Sequence, residues 1–201
     1  MYISGVLLAA GRSTRMGTDK LSLRYKGEPV LQRSLAPLIG SALVNEVIVV
    51  VNASFSQPID RSSCTVVVNR EADSGMASSL RTGVMAASAL ADAYLVCLGD
   101  MPAITEALIT TLVEAYRRTD RKIVVPVYEG RKGHPVIFDS ACKERLLRIE
   151  GDVGARAIIR ENPEMVACVA VDDPGVVFDV DTPGNLSDGP VRSQERRKNA
   201  Q

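Results

Sequence analysis

The chain has 201 residues, in which 24 Lys and Arg balance 24 Asp and Glu, with 46% hydrophobic and 4% aromatic content. A neutral balance and sparse aromatics exclude a nucleic-acid binder that works through a basic, aromatic-laced face, and no apolar run reaches the roughly 18 residues of a membrane-spanning helix. What remains is the size and composition of one α/β domain with a sizeable core.

Cys64, Cys97, Cys142 and Cys168 are widely spaced, and the single histidine, His134, has no cysteine near it. The cysteines read as small buried hydrophobes of a reducing compartment, not as zinc ligands or a disulfide framework. The N-terminus lacks the basic start and apolar core of a signal peptide, so a cytoplasmic protein is expected.

Ile3 to Leu8 is a short apolar, β-branched run typical of a central strand covered on both faces. It empties into Ala9-Ala10-Gly11, where small side chains let a ligand approach backbone N–H groups. Arg12, Arg15 and Lys20 follow, opposed only by Asp19, and this local positive excess suits a polyphosphate. The spacing from Gly11 to Gly17, with Lys20 three residues on, fits neither Gly-x-x-x-x-Gly-Lys-Ser/Thr nor Gly-x-Gly-x-x-Gly. The loop is therefore neither a P-loop nor a dinucleotide fingerprint; the alternative to a phosphate loop is an ordinary βα turn with surface basic residues.

After a turn at Lys26-Gly27-Glu28-Pro29, a helical pattern runs from Val30 to about Ile39, with Pro29 in its first turn. Val47 to Val51 and Thr65 to Val68 are buried strands. The loop from Asn69 to Gly75 enters a small-residue helix reaching about Ala91, where Ser78 and Ser79 can cap the helix or, with its free N–H groups, hold a ligand. Tyr94 to Leu98 is a strand ending in Gly99-Asp100-Met101-Pro102. Asp100 is either a turn-bonding carboxylate or a group at the sheet edge where ligands of open parallel sheets gather.

Thr105 caps a helix to about Arg118, and Ile123 to Val127 is a strand. Gly130-Arg131-Lys132-Gly133-His134-Pro135-Val136 then breaks the βα rhythm, as a second substrate loop or a solvated hairpin. Ser140 opens a helix to about Leu147, and Gly151-Asp152-Val153-Gly154-Ala155-Arg156 opens another to about Arg160, with Asp152 as a candidate cap. Met165 to Val171 is strand-like. Val176 to Val180 leads into Asp179-Val180-Asp181-Thr182-Pro183, where alternation along a continued strand puts Asp179 and Asp181 on one side; a structural Asp-Thr-Pro helix start is the alternative. Residues 187–201 have too little apolar content to pack and read as a mobile polar tail, leaving residues 1–186 as a single domain. The alternation of strands and helices predicts a mostly parallel three-layer α/β/α sandwich whose loops converge on one sheet edge.

Five of these segments, in order, resemble the signatures of the nucleotidyltransferases of the molybdenum-cofactor group. They are Leu-Ala-Ala-Gly-x-Ser-x-Arg-Met-Gly-x-x-Lys at Leu8 to Lys20, Gly-Met-x-x-Ser-Leu-x-x-Gly at Gly75 to Gly83, Gly-Asp-Met-Pro at Gly99 to Pro102, Gly-x-x-Gly-His-Pro-Val at Gly130 to Val136 and Asp-x-Asp-Thr-Pro at Asp179 to Pro183. Gly-Asp-x-Gly-Ala-Arg at Gly151 to Arg156 is similar to a further family segment. The family usually continues Asp-Thr-Pro with an acidic residue and a short helix, whereas this chain has Gly184-Asn185-Leu186.

The resemblance implies a Rossmann-like sheet of the nucleotide-diphospho-sugar transferase type and transfer of a nucleoside monophosphate, in which an acceptor phosphate oxygen attacks the α-phosphorus of a nucleoside triphosphate and expels pyrophosphate. It makes Arg15, Lys20 and Asp100 the catalytic residues. It places the nucleotide on Leu8, Ala9, Ala10, Gly11, Arg12, Ser13, Gly75, Ser79 and Asp100, and Mg²⁺ on Asp100 and Asp181. Gly133, His134, Pro135, Asp152 and Arg156 are then on the acceptor side. Leu8-Ala9-Ala10-Gly11 is similar to cytidylyl members, whereas guanylyl members tend to carry Ala-Gly-Gly there, so the expected substrates are CTP and molybdopterin cofactor.

The alternatives are a GTP-dependent guanylyltransferase, a transferase for another phosphorylated small molecule, and a non-catalytic accessory protein serving a molybdenum hydroxylase. Lys20, Asp100 and Asp181 together argue against the last, because binding alone needs no metal pair. A molybdenum hydroxylase or its chaperone is the expected protein partner, with neither nucleic acid nor membrane involved.

Overall fold

The computed structural model describes residues 1–11, 19–152 and 154–181, together with Leu186 and Pro190. The first strand, β1 (Ile3–Ala9), is buried at every position, and its side chains divide by the period of two that a pleated strand imposes. Ile3, Leu7 and Ala9 enter one apolar cluster, whereas Val6 and Leu8 enter a second on the opposite face. A short hairpin, β2 (Arg24–Tyr25) and β3 (Glu28–Pro29), leads into α1 (Val30–Gly40). Strand β4 (Glu46–Asn52) repeats the two-faced division, with Val47, Val49 and Val51 opposite Ile48 and Val50. Then come β5 (Thr65–Asn69), α2 (Met76–Ala86), β6 (Ala93–Leu98), α3 (Glu106–Arg118) and β7 (Ile123–Tyr128). The remaining elements are β8 (Arg131–Lys132), β9 (Val136–Asp139), α4 (Lys143–Arg148), α5 (Arg156–Glu161) and β10 (Val166–Ala170).

The main sheet has the order β10-β7-β9-β6-β1-β4-β5, with β8 paired to β7. Its pairs are parallel except where β9 runs against β6 and β7, and β8 against β7. Leu31, Leu35 and Leu38 of α1 and Leu108, Ile109 and Leu112 of α3 cover one face. Leu80 and Val84 of α2, Leu146 of α4 and Ile158 of α5 cover the other. This is the three-layer, mostly parallel sandwich that the sequence predicts. Among the described residues no helix is long and apolar enough to cross a membrane.

The sheet positions a site through its winding. β1 pairs with β4 on one side and β6 on the other, so the chain leaves the C-terminal edge of β1 in one direction and returns beside it from the other. That reversal opens a crevice at the strand ends, and Ala10, Gly11 and Asp100 lie there.

Several local expectations differ from the structure; β5, expected to be buried, is an edge strand with Thr65 and Val68 exposed. Helix α2 ends at Ala86 instead of near Ala91, because the Ser88 N–H donates to Glu46 Oε1 of β4 (2.7 Å) instead of continuing the helical ladder. The turn before α4 is capped by Asp139, whose Oδ1 accepts from Ala141 N (2.9 Å), and not by Ser140, whose N–H donates to the Asp92 carbonyl. Val176 to Val180 does not form a strand: Pro174–Val177 is a 3₁₀ turn closed by Asp173, which accepts from Gly175 N. Cys64, Cys97 and Cys142 are buried as expected, but Cys168 is exposed, since β10 is an edge strand of the sheet.

Gly83 sits on the buried face of α2 where the helix rests on the sheet. A Cβ added there would lie 3.0 Å from Val50 Cγ2 and closer still to Val6 Cγ1. Helix propensity alone favours alanine by about 1 kcal/mol, but this overpacking outweighs it. Gly83→Ala is expected to lower the unfolding free energy by about 1–3 kcal/mol in urea titration; a stabilised variant would show that α2 can lift off the sheet at no cost.

Candidate active site

The crevice is a cleft of about 890 Å³ at the C-terminal ends of β1 and β6. Its floor is Leu8, Ala9, Ala10 and Gly11, followed in the chain by Lys20 on another wall. Leu8 and Ala9 carry the end of β1, and the Gly99 N–H donates to the Leu8 carbonyl (2.9 Å), so the segment carrying Asp100 is fastened to that floor.

Lys20 is held by its neighbours on both sides. Asp19 Oδ1 accepts from Leu21 N (3.1 Å) and caps the single 3₁₀ turn Lys20–Ser22, and buried Leu21 anchors that turn in the core beside α1. The ammonium consequently points into the cleft, 2.6 Å from Asp100 Oδ2 and 3.3 Å from Asp181 Oδ1. Asp181 arrives from the far end of the chain because the Val180 N–H donates to the Asp100 carbonyl (2.9 Å). This backbone latch sets Asp181 beside Asp100.

The electrostatics follow from this crowding. Burial works against the Lys20 charge, yet the Asp100 carboxylate, and after it Asp181, hold the ammonium pKa above its ordinary value. Asp179 adds a third carboxyl. Partial desolvation first, and repulsion from Asp181 and Asp100 next, raise its pKa above the usual carboxyl value. Asp100 Oδ1 is buried with no hydrogen-bond partner among the described residues. An inward carboxylate oxygen without a partner is costly, and together with Asp181 it gives the hard oxygen pair that a small divalent ion takes when substrate phosphates complete its shell. The residues present therefore fit Mg²⁺ or a similar ion.

The wall opposite Lys20 is built from the start of α2. Gly75 has φ +99°, a conformation that side chains rarely adopt, and a Cβ there would lie 2.7 Å from the Gly151 carbonyl oxygen. That closeness exists because the 151–152 segment clamps the helix start: Met76 N donates to Asp152 Oδ1 (3.2 Å) and Ala77 N to the Gly151 carbonyl (3.1 Å). The N–H groups expected to be free for a ligand are thereby occupied. The single Ser78 hydroxyl proton is shared between the Glu71 and Gly75 carbonyls, each 2.8 Å from Oγ, and Asn69 Nδ2 donates to both serine hydroxyls (2.8 and 3.0 Å). Ser79, Gly75 and Asp152 all line the cleft.

Gly133, His134, Pro135 and Arg156 do not line that cleft among the described residues. His134 N donates to the Val176 carbonyl (2.8 Å), which ties its loop to the segment preceding Asp181. The His134 pKa falls to about 4, with burial the largest cause and the Arg156 charge adding to it, against a hydrogen bond to the Val96 backbone and the pull of Asp100. At neutral pH the imidazole is uncharged. It is thus not the cation that the composition of its loop suggests, and its Nδ1 is buried without a partner among the described residues. Arg156 is exposed at the start of α5.

Arg12, Ser13 and Arg15, assigned to nucleotide binding and catalysis from the sequence, lie outside the described residues. So does the stretch after Asp181 that carries Thr182 and Pro183, and the tail from residue 191. Sequence reasoning missed Asp73 and Ser74, which border the cleft, and the role of Asn69 as the tie between both serines. An asparagine at a strand end before a Ser-rich helix start was the available signal.

Comparison with known proteins places these features in a lineage. Residues 5–166 match the MobA-like NTP transferase domain. The chain is 29% identical to nicotine blue oxidoreductase of Paenarthrobacter nicotinovorans, across 90% of this chain and 92% of that protein. It is 28% identical to a probable molybdenum cofactor guanylyltransferase of Thermococcus gammatolerans, across 71% and 72% of the two chains. Among solved structures, Rv0371c of Mycobacterium tuberculosis H37Rv superimposes over the full length of both chains with a TM-score of 0.75 at 27% identity.

The clamp on α2 can be tested apart from any activity. Asp152→Ala removes a hydrogen-bonded cap and is expected to cost about 1 kcal/mol of stability in denaturant unfolding. Asp152→Asn keeps an accepting oxygen and is expected to lose less than half as much. Equal losses would mean that the carboxylate charge, and not the bond to Met76 N, holds the wall.

Proposed function

The chain belongs to the MobA-like NTP transferase family, and from that premise we propose that it transfers CMP from CTP to the phosphate of molybdopterin cofactor, releasing pyrophosphate. The observation that supports this reading most is the group Lys20–Asp100–Asp181 at the mouth of a cleft with a small-residue floor. Such a transfer needs charge neutralisation and in-line placement more than it needs an acid or a base.

In this reading Ala9, Ala10 and Gly11, with Gly75 and Ser79, receive the base and sugar, assisted by Arg12 and Ser13. Arg15 and Lys20 neutralise the triphosphate and the charge that develops on the departing pyrophosphate. Asp100 and Asp181 would hold Mg²⁺, which would supply Lewis-acid neutralisation of the reacting phosphate oxygens. Gly133, His134, Pro135, Asp152 and Arg156 shape the acceptor side. His134, uncharged at neutral pH, serves there as a hydrogen-bonding group and not as the base, since the attacking phosphate is already anionic.

Cytosine is supported by the Leu8-Ala9-Ala10-Gly11 floor. The second reading is GTP with the same acceptor, favoured by the name of the Thermococcus relative. An oxidoreductase reading, which the name of the Paenarthrobacter relative would suggest, finds no Gly-x-Gly-x-x-Gly fingerprint at the β1 turn to receive a dinucleotide. A molybdenum hydroxylase or its chaperone is the proposed recipient of the product.

The test is pyrophosphate release by the purified protein with Mg²⁺ and molybdopterin cofactor, run in parallel with CTP, GTP, ATP and UTP. Release with CTP alone is expected. Release with GTP alone would keep the reaction and overturn the base, and silence from folded protein that binds nucleotide would favour the accessory reading. In the same assay Asp100→Asn is expected to lower kcat by roughly two orders of magnitude or more; an active Asn variant would reduce Asp100 to a turn residue.

A further inference from the structure

The cation position between the two aspartates is filled by the chain itself. Lys20 Nζ lies 2.6 Å from Asp100 Oδ2 and 3.3 Å from Asp181 Oδ1. A divalent ion ligated by both carboxylates, at the ~2.1 Å of a hard-ion contact, would sit directly beside this ammonium, which bonds Asp100 Oδ2 and Asp181 Oδ1, and the two like charges would repel. Among the described residues no group of three or more His, Cys, Asp or Glu is placed to hold a metal ion. Asp100 Oδ1, the buried oxygen without a partner, is a single donor and cannot hold an ion on its own.

Metal entry is therefore opposed by Lys20 for as long as its ammonium stays between the two carboxylates. Its side chain is only 18% exposed, so departure strands a partly desolvated ammonium unless another anion receives it. A triphosphate meets both needs: its oxygens complete the metal shell and accept the displaced ammonium.

We propose that Lys20 is a stand-in cation that makes the cleft select a divalent ion together with a triphosphate over the ion alone, passing from the aspartates to the phosphates as the two bind. This inference rests on the nucleotidyltransferase reading, which supplies the triphosphate. Lys20 acts here as a positioning and specificity-determining residue, and no bond is made or broken in the exchange. The coupling is reciprocal, so whatever factor the triphosphate adds to metal affinity, the metal adds to triphosphate affinity.

The experiment is Mn²⁺ binding to the full-length, nucleotide-free protein, read from the electron paramagnetic resonance signal of the free ion. Lys20→Met is expected to bind Mn²⁺ at least tenfold more tightly than the wild type, and Lys20→Gln provides the same comparison if the methionine variant does not fold. Asp100→Asn, added to either variant, is expected to abolish the gain. An affinity unchanged or weakened in the lysine variants overturns the inference, and if the wild type nevertheless releases pyrophosphate the reaction assignment survives. Tighter binding in the variants, from a wild type that releases pyrophosphate with none of the four nucleotides, supports the stand-in cation while the assignment of the reaction fails.

Discussion

Two carboxylates brought within reach of one ammonium are the constraint around which this molecule is arranged. Lys20 and Asp181 are 161 residues apart in sequence, and each reaches the cleft by a separate backbone device. A capped 3₁₀ turn with a buried leucine aims Lys20, the bond from Gly99 to Leu8 fixes the Asp100 segment against β1, and the bond from Val180 to Asp100 brings in Asp181. Asp179 lies close enough to feel the same field and has its pKa pushed upward. Gathering so much negative charge opposes folding, and the structure offsets it with the lysine. A site balanced in this way is poised for a ligand that carries both signs, which is what a metal–triphosphate complex is.

The sheet supplies the place, and the helices supply the walls. Because β1 has β4 and β6 on its two sides, the floor of the cleft is made of strand ends whose side chains are small. The α2 wall is not self-supporting: its first N–H groups are taken by Gly151 and Asp152 from the opposite end of the domain. The His134 loop is likewise tied to the segment that carries Asp181, since the His134 N–H is bonded to Val176, four residues before Val180. Parts of the chain that look like independent motifs in sequence are mechanically joined around one cleft.

Apolar runs made the fold legible. Continuous β-branched runs at β1 and β4 and short connections between strands and helices were sufficient to predict the layered sheet, because both faces of a central strand must be apolar. What escaped prediction depended on distant partners. Nothing near Ala86 tells that Glu46 will take the Ser88 N–H, and nothing near Cys168 tells that its strand will lie at an edge. The apolar run Val176 to Val180 looks like a strand until Asp173 and Pro174 turn it. At the site, the residue types of Asp100, Asp181 and Lys20 were legible as motif positions, but the ion pairs that join Lys20 to both aspartates were not. Arg12, Ser13 and Arg15 lie outside the described residues and rest on sequence alone.

The central claim is that Asp100 and Asp181 form the cation seat and Lys20 vacates it. The most direct measurement is the anomalous diffraction signal of Mn²⁺ in crystals grown with the ion and a non-hydrolysable CTP analogue. The account predicts a manganese peak within coordination distance of both carboxylates, with Lys20 Nζ moved onto a phosphate oxygen. A peak elsewhere in the cleft, with Lys20 still bridging the two aspartates, would contradict it.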